Sequence, residues 1–246
     1  MRASSIAKTI VSKALLVRTV PYGEADLVVQ LFTEGEGRLS AIVRGGRRPS
    51  RRVGGALEPF HTLVATLEDR GTEMCTLKEA RVVGVRARLV GSLDALEAGG
   101  RALRWVRHVC PPRTPEPAAW ATLNSLLDGL DAAMNAEECA RILAWAGLRL
   151  LVDLGYGLEL ERCVRCTKPC PEGRLALLDM AAGGLVCVSC GGGPLRVEAA
   201  VREAALAVLR AGTLPELEMA RAIGPLVDAA MAAHADYDAS LERPRV

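Results

Sequence analysis

The sequence predicts an α+β chain: an N-terminal five-stranded barrel, then an all-helical half with an inserted four-cysteine module. Three observations predict it. Short β-branched runs separated by turn residues fill the stretch from Ile10 to about Val85. After Arg88 the texture changes to Ala, Leu, Glu and Arg at helical spacing. Five of the eight cysteines crowd between Cys163 and Cys190. With 246 residues, half of them apolar, the chain can bury one large core or two modest ones, and disorder is excluded for its bulk.

The expected strands are Ala14–Val20, Leu27–Thr33, Leu39–Val43, Thr62–Leu67 and Met74–Val83. Pro21-Tyr22-Gly23, Glu34-Gly35-Glu36-Gly37 and Glu68-Asp69-Arg70-Gly71 supply tight turns, whereas the third connection, Gly45 to Pro59, is long and highly charged. Five short strands with one long loop suit a barrel of the OB type, although spacing alone does not separate it from an SH3-like barrel.

Five helices are expected next. Ser92–Val109 ends at Pro111-Pro112. Thr114 can cap a second helix, with Pro115 in the favoured first position, running to about Ala133. Asn135 followed by Glu138 reads as a capping-box variant opening a third, to about Leu154. Val197–Arg210 and Pro215–Tyr237 follow the cysteine segment. The expected division is therefore 1–88 for the barrel and 89–246 for the helical half, with the module at about 160–195.

Cys163-x2-Cys166 and Cys187-x2-Cys190, 20 residues apart, have the spacing of a closed structural zinc site. Each two-residue gap lets both thiolates of a knuckle reach one ion at about 2.3 Å. Gly183-Gly184 and Gly191–Gly193 let the backbone bend around it, and Arg162, Arg165 and Lys168 offset the charge of four thiolates. Cys170 is the alternative to Cys166 as fourth ligand. Unrelated buried thiols and a redox dithiol are the competing readings; the latter lacks the βαβ context it requires. Cys75, Cys110 and Cys139 are scattered and read as small buried hydrophobes.

Net charge is +2, but residues 1–88 carry +6 and residues 89–246 carry −4. The segment Arg44-Gly45-Gly46-Arg47-Arg48-Pro49-Ser50-Arg51-Arg52 holds five arginines in nine residues and no acid. Guanidinium forks match phosphodiester oxygens, so this loop is the candidate nucleic-acid contact, with Lys8, Lys13, Arg18, Lys78 and Arg81 extending it. A solvated loop and a protein-docking loop are the alternatives. The barrel's few aromatics, Tyr22, Phe32 and Phe60, argue for phosphate-led rather than stacking recognition, with Phe60 beside Pro59 expected in the core.

Catalytic signatures are absent: no Gly-x4-Gly-Lys-Ser/Thr, no Gly-x-Ser-x-Gly elbow, and no cysteine beside His61, His108 or His234. The chain is expected not to be an enzyme. No apolar run reaches the roughly 18–20 residues of a membrane span, and no signal peptide is recognised, so a cytoplasmic location is expected.

The order Tyr22-Gly23-Glu24-Ala25-Asp26, Leu31-Phe32-Thr33, Gly37-Arg38-Leu39-Ser40-Ala41, Gly45-x-Arg47-Arg48-Pro49 and Gly54-Gly55-Ala56-Leu57-Glu58-Pro59-Phe60 resembles the RecO family of recombination mediators. The cysteine pairs with Gly183-Gly184 between them resemble the same family, from which Cys170 departs. The resemblance implies an N-terminal OB fold, a helical domain with zinc, and binding of single- and double-stranded DNA with annealing of complementary strands. It also implies work with RecR, and in some pathways RecF, to load RecA onto DNA coated with single-strand-binding protein. The acidic C-terminal tail of that protein would meet the helical domain, and the protein would be nucleoid-associated. A zinc-ribbon adaptor for a protein partner and a metalloenzyme are the rival functions.

Overall fold

The strands close because their alternation gives each one an apolar face toward a common interior. In the computed structural model, which describes residues 7–48 and 56–234, the barrel comprises β1 (Lys8–Tyr22), β2 (Asp26–Thr33), β3 (Gly37–Val43), β4 (Thr62–Asp69) and β5 (Cys75–Gly84). Strand order around the closed barrel is β1-β2-β3-β5-β4. All pairings are antiparallel except β3 with β5, where Ala41 and Ile42 meet Cys75 and Thr76. This is the OB arrangement, which decides between the two barrels the sequence allowed. Ile10, Ala14, Leu16, Val29, Leu31, Leu39, Ala41, Ala65, Leu67 and Leu77 form its interior.

Strand β1 runs on through Pro21 and Tyr22, so the first turn is Gly23-Glu24-Ala25 rather than Pro21-Tyr22-Gly23. The reason is long-range: Pro21 and Tyr22 pair with Leu27 and Asp26.

The helical half comprises α1 (Ala87–Val90), α2 (Leu93–Val109), α3 (Pro117–Ala132), α4 (Ala136–Asp153), α5 (Ala199–Ala211) and α6 (Leu217–His234). Ser92 Oγ accepts from Ala95 N at the start of α2. Asn135 Oδ1 accepts from Glu138 N at 2.9 Å, and Glu138 reaches back to Met134 N at 2.7 Å, a capping box displaced by one residue. The second helix starts later than expected. Pro117, not Pro115, holds its first turn, and Thr114 does not cap it. Residues 112–114 are occupied elsewhere: Pro112 bridges Arg38, and Gly37 lies so close to Thr114 that a Cβ there would sit 1.9 Å from the Thr114 carbonyl oxygen. The final helix starts at Leu217 and contains Pro225; Tyr237 is outside the described residues. The short helix α1 and a three-stranded sheet inserted before α5 were not anticipated.

Barrel and helices share one core. Leu15, Phe32 and Phe60 from the barrel join Leu103, Val106, Trp120, Leu123 and Leu127 in a single apolar cluster. The Phe32 and Trp120 rings lie 5.8 Å apart, tilted at 51°. Gly99 makes room for Phe60, whose ring edge would lie 2.9 Å from a Cβ. Arg86, only 5% exposed, fastens the junction by donating to the Phe60 carbonyl (2.7 Å), Thr62 Oγ1 (3.0 Å), Asn124 Oδ1 (3.1 Å) and Asp128 Oδ1 (2.7 Å). Arg113 does so on the other side, donating to Asp69 Oδ2 at 2.7 Å and the Thr72 carbonyl at 2.7 Å.

Arg113 holds the Asp69 carboxyl below the usual carboxylate range, with the Gly71 N–H adding to the effect. A folded-state pKa lower than the unfolded one means stabilisation that is present above about pH 4 and lost as pH falls through the lowered value. Asp69→Asn should therefore destabilise the protein at neutral pH, and the gap from wild type should close as unfolding is followed in denaturant from pH 6 to pH 3. A gap independent of pH would refute the ionic account of this contact.

Candidate metal centre and nucleic-acid interface

Between α4 and α5 eight glycines and three prolines interrupt any helical run, and the chain folds around its cysteines. Strands β6 (Ala176–Asp179), β7 (Gly184–Leu185) and β8 (Leu195–Val197) form a small sheet in the order β7-β6-β8. The sulfurs of Cys163, Cys166, Cys187 and Cys190 all lie within 4.8 Å of one another, and Cys166 and Cys187 are 3.7 Å apart. A tetrahedron with metal–sulfur bonds of 2.3 Å has sulfurs about 3.8 Å apart, so the donor set fits one ion with all four positions filled by protein. Cys170 is not in this cluster. Its N–H donates to the Glu161 carbonyl at 2.8 Å and its carbonyl accepts from Arg202, so Cys166 completes the set.

Local backbone bonds shape both knuckles. Thr167 N–H returns to the Cys163 carbonyl (2.8 Å) and Cys190 N–H to the Cys187 carbonyl (2.9 Å). Cys187 N–H also reaches Cys163 Sγ at 3.3 Å and, as the largest influence on it, draws that thiol down to about 6. Cys190 is pushed up to about 12, first by its hydrogen bond with Cys166, since four adjacent thiols do not all ionise unaided. Gly184 is required because a Cβ there would meet the Glu159 carbonyl oxygen at 2.4 Å. Arg165 donates to the Cys190 carbonyl at 2.8 Å, one of the expected counter-charges acting across the cluster.

Arg202 on α5 binds the module to the helices and was not singled out by sequence. Its side chain is 2% exposed, and it donates to the carbonyls of Leu160 (3.2 Å), Cys170 (3.3 Å) and Pro171 (2.7 Å), which flank the first knuckle. An arginine at helical spacing looks like any surface cation until its depth is known. Arg202→Met should leave the three carbonyls without this donor, at about 1–3 kcal/mol for the buried carbonyl of Leu160 and less for those of the more exposed Cys170 and Pro171. Release of bound metal to a chelator should become at least tenfold faster. Unchanged release would assign Arg202 no part in holding the knuckle.

The arginine loop begins where β3 leaves the barrel beside the β1–β2 turn. Asp26 pins its first residues: Arg44 Nη1 donates to Oδ2 at 2.9 Å and Gly45 N–H to Oδ1 at 2.7 Å. These contacts hold the Asp26 carboxyl below its ordinary range, the Gly45 N–H contributing most. Arg47 N–H bonds the Ala25 carbonyl (3.0 Å) and its guanidinium the Glu24 carbonyl (3.3 Å), while Arg47 and Arg48 remain exposed. The loop is thus cationic but not free of acid, because Asp26 arrives from β2. Arg51 and Arg52 lie outside the described residues.

The other predicted cations do not gather around this loop. Arg18 is exposed on β1 opposite Gln30 of β2. Lys13 and Arg81 flank Val64 on the β1–β4–β5 side, with Lys13 3.9 Å from Glu34. Lys78 pairs with Glu68 at 2.7 Å, and Lys8 with Glu36 at 2.8 Å. Phe32 and Phe60 are buried, leaving Tyr22 as the exposed ring of the described barrel.

An OB barrel sharing a core with a helical half that carries a four-cysteine centre defines a class of two-part proteins built on one continuous core. Residues 8–86 match the family model for Recombination protein O N terminal, and residues 90–234 the model for Recombination protein O C terminal. The chain is similar to the DNA repair protein RecO of Geobacter sulfurreducens, with 34% identity over 227 residues, 90% of this chain and 91% of that one. It is also similar to those of Anaeromyxobacter sp. (strain K), 34% over 180 residues (73% and 69%), and Rubrobacter xylanophilus, 35% over 184 residues (73% and 70%). The chain belongs to the RecO family of DNA repair proteins. Among the described residues no helix is long and apolar enough to cross a membrane.

Proposed function

We propose that this chain is a non-catalytic mediator that binds single- and double-stranded DNA, anneals complementary strands, and helps RecR, with RecF in some pathways, load RecA onto DNA coated with single-strand-binding protein. The observation that carries this reading is the exposed pair Arg47 and Arg48, held outward by the β1–β2 turn in a chain of the RecO family. Neutralising phosphates on two strands lowers the repulsion that keeps them apart, which is what annealing requires. Burial of Phe32 and Phe60 removes stacking platforms and favours an electrostatic, sequence-indifferent mode. Residues 1–88 act as the DNA-binding domain and residues 89–246 as the helical domain, working in the cytoplasm at the nucleoid. In the helical domain, the acidic tail of single-strand-binding protein meets the scaffold of α2 to α4.

Affinity for a labelled oligonucleotide should fall steeply with salt, as a power of its concentration set by the phosphates neutralised. Charge reversal of Arg47, Arg48, Arg51 and Arg52 together should abolish binding and annealing with the fold intact. Salt-insensitive affinity, or normal annealing by that variant, would sink the reading.

The four-cysteine centre holds one structural zinc, a reading supported by its all-thiolate, closed donor set. Metal analysis should find about one zinc per chain, and Cys187→Ser should lose it and destabilise the helical half. A stable, metal-free wild-type protein would overturn the zinc assignment.

A further inference from the structure

The outward face of β1–β3 is divided by the helical half. Pairing places Leu15, Phe32 and Arg38 on one rung and Arg18, Gln30 and Ser40 on the next. Leu15, Phe32, Arg38, Gln30 and Ser40 point away from the barrel interior because their neighbours Leu16, Leu31 and Leu39 fill it, and the register shift between Leu16 and Arg18 turns Arg18 to the same outward face. The helices cover the first rung at Leu15 and Phe32. They leave Arg38 half-buried and Arg18 exposed.

At this edge the helical half adds charge of the same sign. Arg38 Nε donates to the carbonyl of Cys110, the residue after α2, at 3.0 Å, which fixes its guanidinium against the end of that helix. There Arg107 Nη2 lies 2.8 Å from His108 Nε2. His108 is held below its ordinary range by burial first, and then by Arg107 of α2, Arg38 of β3 and Arg18 of β1. Arg107 thus lies against the imidazole, while Arg38 is fixed two residues further on at the Cys110 carbonyl, and Arg18 acts on the ring only through space. Gln30, opposite Arg18, has a buried side-chain oxygen without a hydrogen-bond partner.

We infer that Arg18 and Arg38, bordered by Arg107 and His108, form a second phosphodiester-binding site spanning the seam between barrel and helices. The inference rests on the DNA-binding reading and extends it from the arginine loop to a composite surface. The two sites are continuous: Asp26, which anchors the loop, and Gln30 are four residues apart on β2. That separation is about 13 Å, or roughly four nucleotides at stacked spacing. A strand leaving Arg47 and Arg48 runs along the outward face of β1–β2 to Arg18, then to Arg38 at the seam.

The test uses the full-length, metal-loaded protein and a fluorescent single-stranded oligonucleotide, with anisotropy measured over a range of salt. Arg18→Glu, an exposed position, should weaken binding at least tenfold and reduce the salt slope by about one; Arg18→Glu with Arg38→Gln should reduce it by about two. Arg174→Glu, an exposed arginine of the cysteine module, controls for net charge and should change neither. Thermal unfolding of each variant separates lost contacts from lost fold. If wild type binds with a steep slope but Arg18→Glu matches it, or Arg174→Glu weakens binding equally, the seam site is overturned and the loop reading stands. If wild type itself binds without salt dependence, both fall.

Discussion

Burial of Leu15 and Phe32 against the helices is the contact on which the rest of this molecule depends. In a free-standing OB barrel the outer face of β1 and β2 faces water or ligand. Here two large apolar side chains on that face make a solvated barrel unfavourable, and α2 and α3 supply Val106, Trp120 and Leu123 to cover them. Once that contact forms, Arg38 is brought beside Cys110, Arg113 beside Asp69, and Arg86 beneath Asn124 and Asp128. Buried arginine is tolerated only when its donors are matched, so Arg86 records how completely the junction is formed.

The cysteine module follows the same logic with different chemistry. Its three short strands are too small to stabilise themselves. Four sulfurs converging on one point, together with Arg202 buried beneath the first knuckle, add to the apolar contacts that Leu160, Leu178 and Val197 make with the helical core. The four sulfurs could together hold one ion, with protein donors at all four positions of a tetrahedron.

Charge is distributed by tertiary pairing rather than by abundance. Lys8, Lys13 and Lys78 each face a glutamate, whereas Arg47 and Arg48 project from the barrel beside the first turn. Ion pairs on an exposed surface contribute little stability, so the main consequence of the glutamates is to shape the field presented to a polyanion.

Local signals determined the elements. Strand alternation, the Ser92 and Asn135 caps and the two Cys-x2-Cys knuckles were legible because each is complete within a few residues. The arginine loop was legible as composition. The rest needed contacts between residues far apart in the chain. Thr114 is a good capping residue, but its place against Gly37 outweighed that preference. Spacing allowed Cys170 as a ligand, but its side chain packs against the apolar core and Cys166 completes the cluster. Arg18 and Arg38 stand 20 residues apart in sequence, and only the β1–β2–β3 register and the sealing of Phe32 bring them to one edge. Sequence alone thus determined what this protein is built from. Tertiary structure decided which of its cations share a surface, because a side chain's neighbours across a sheet are set by register and burial, not by position along the chain.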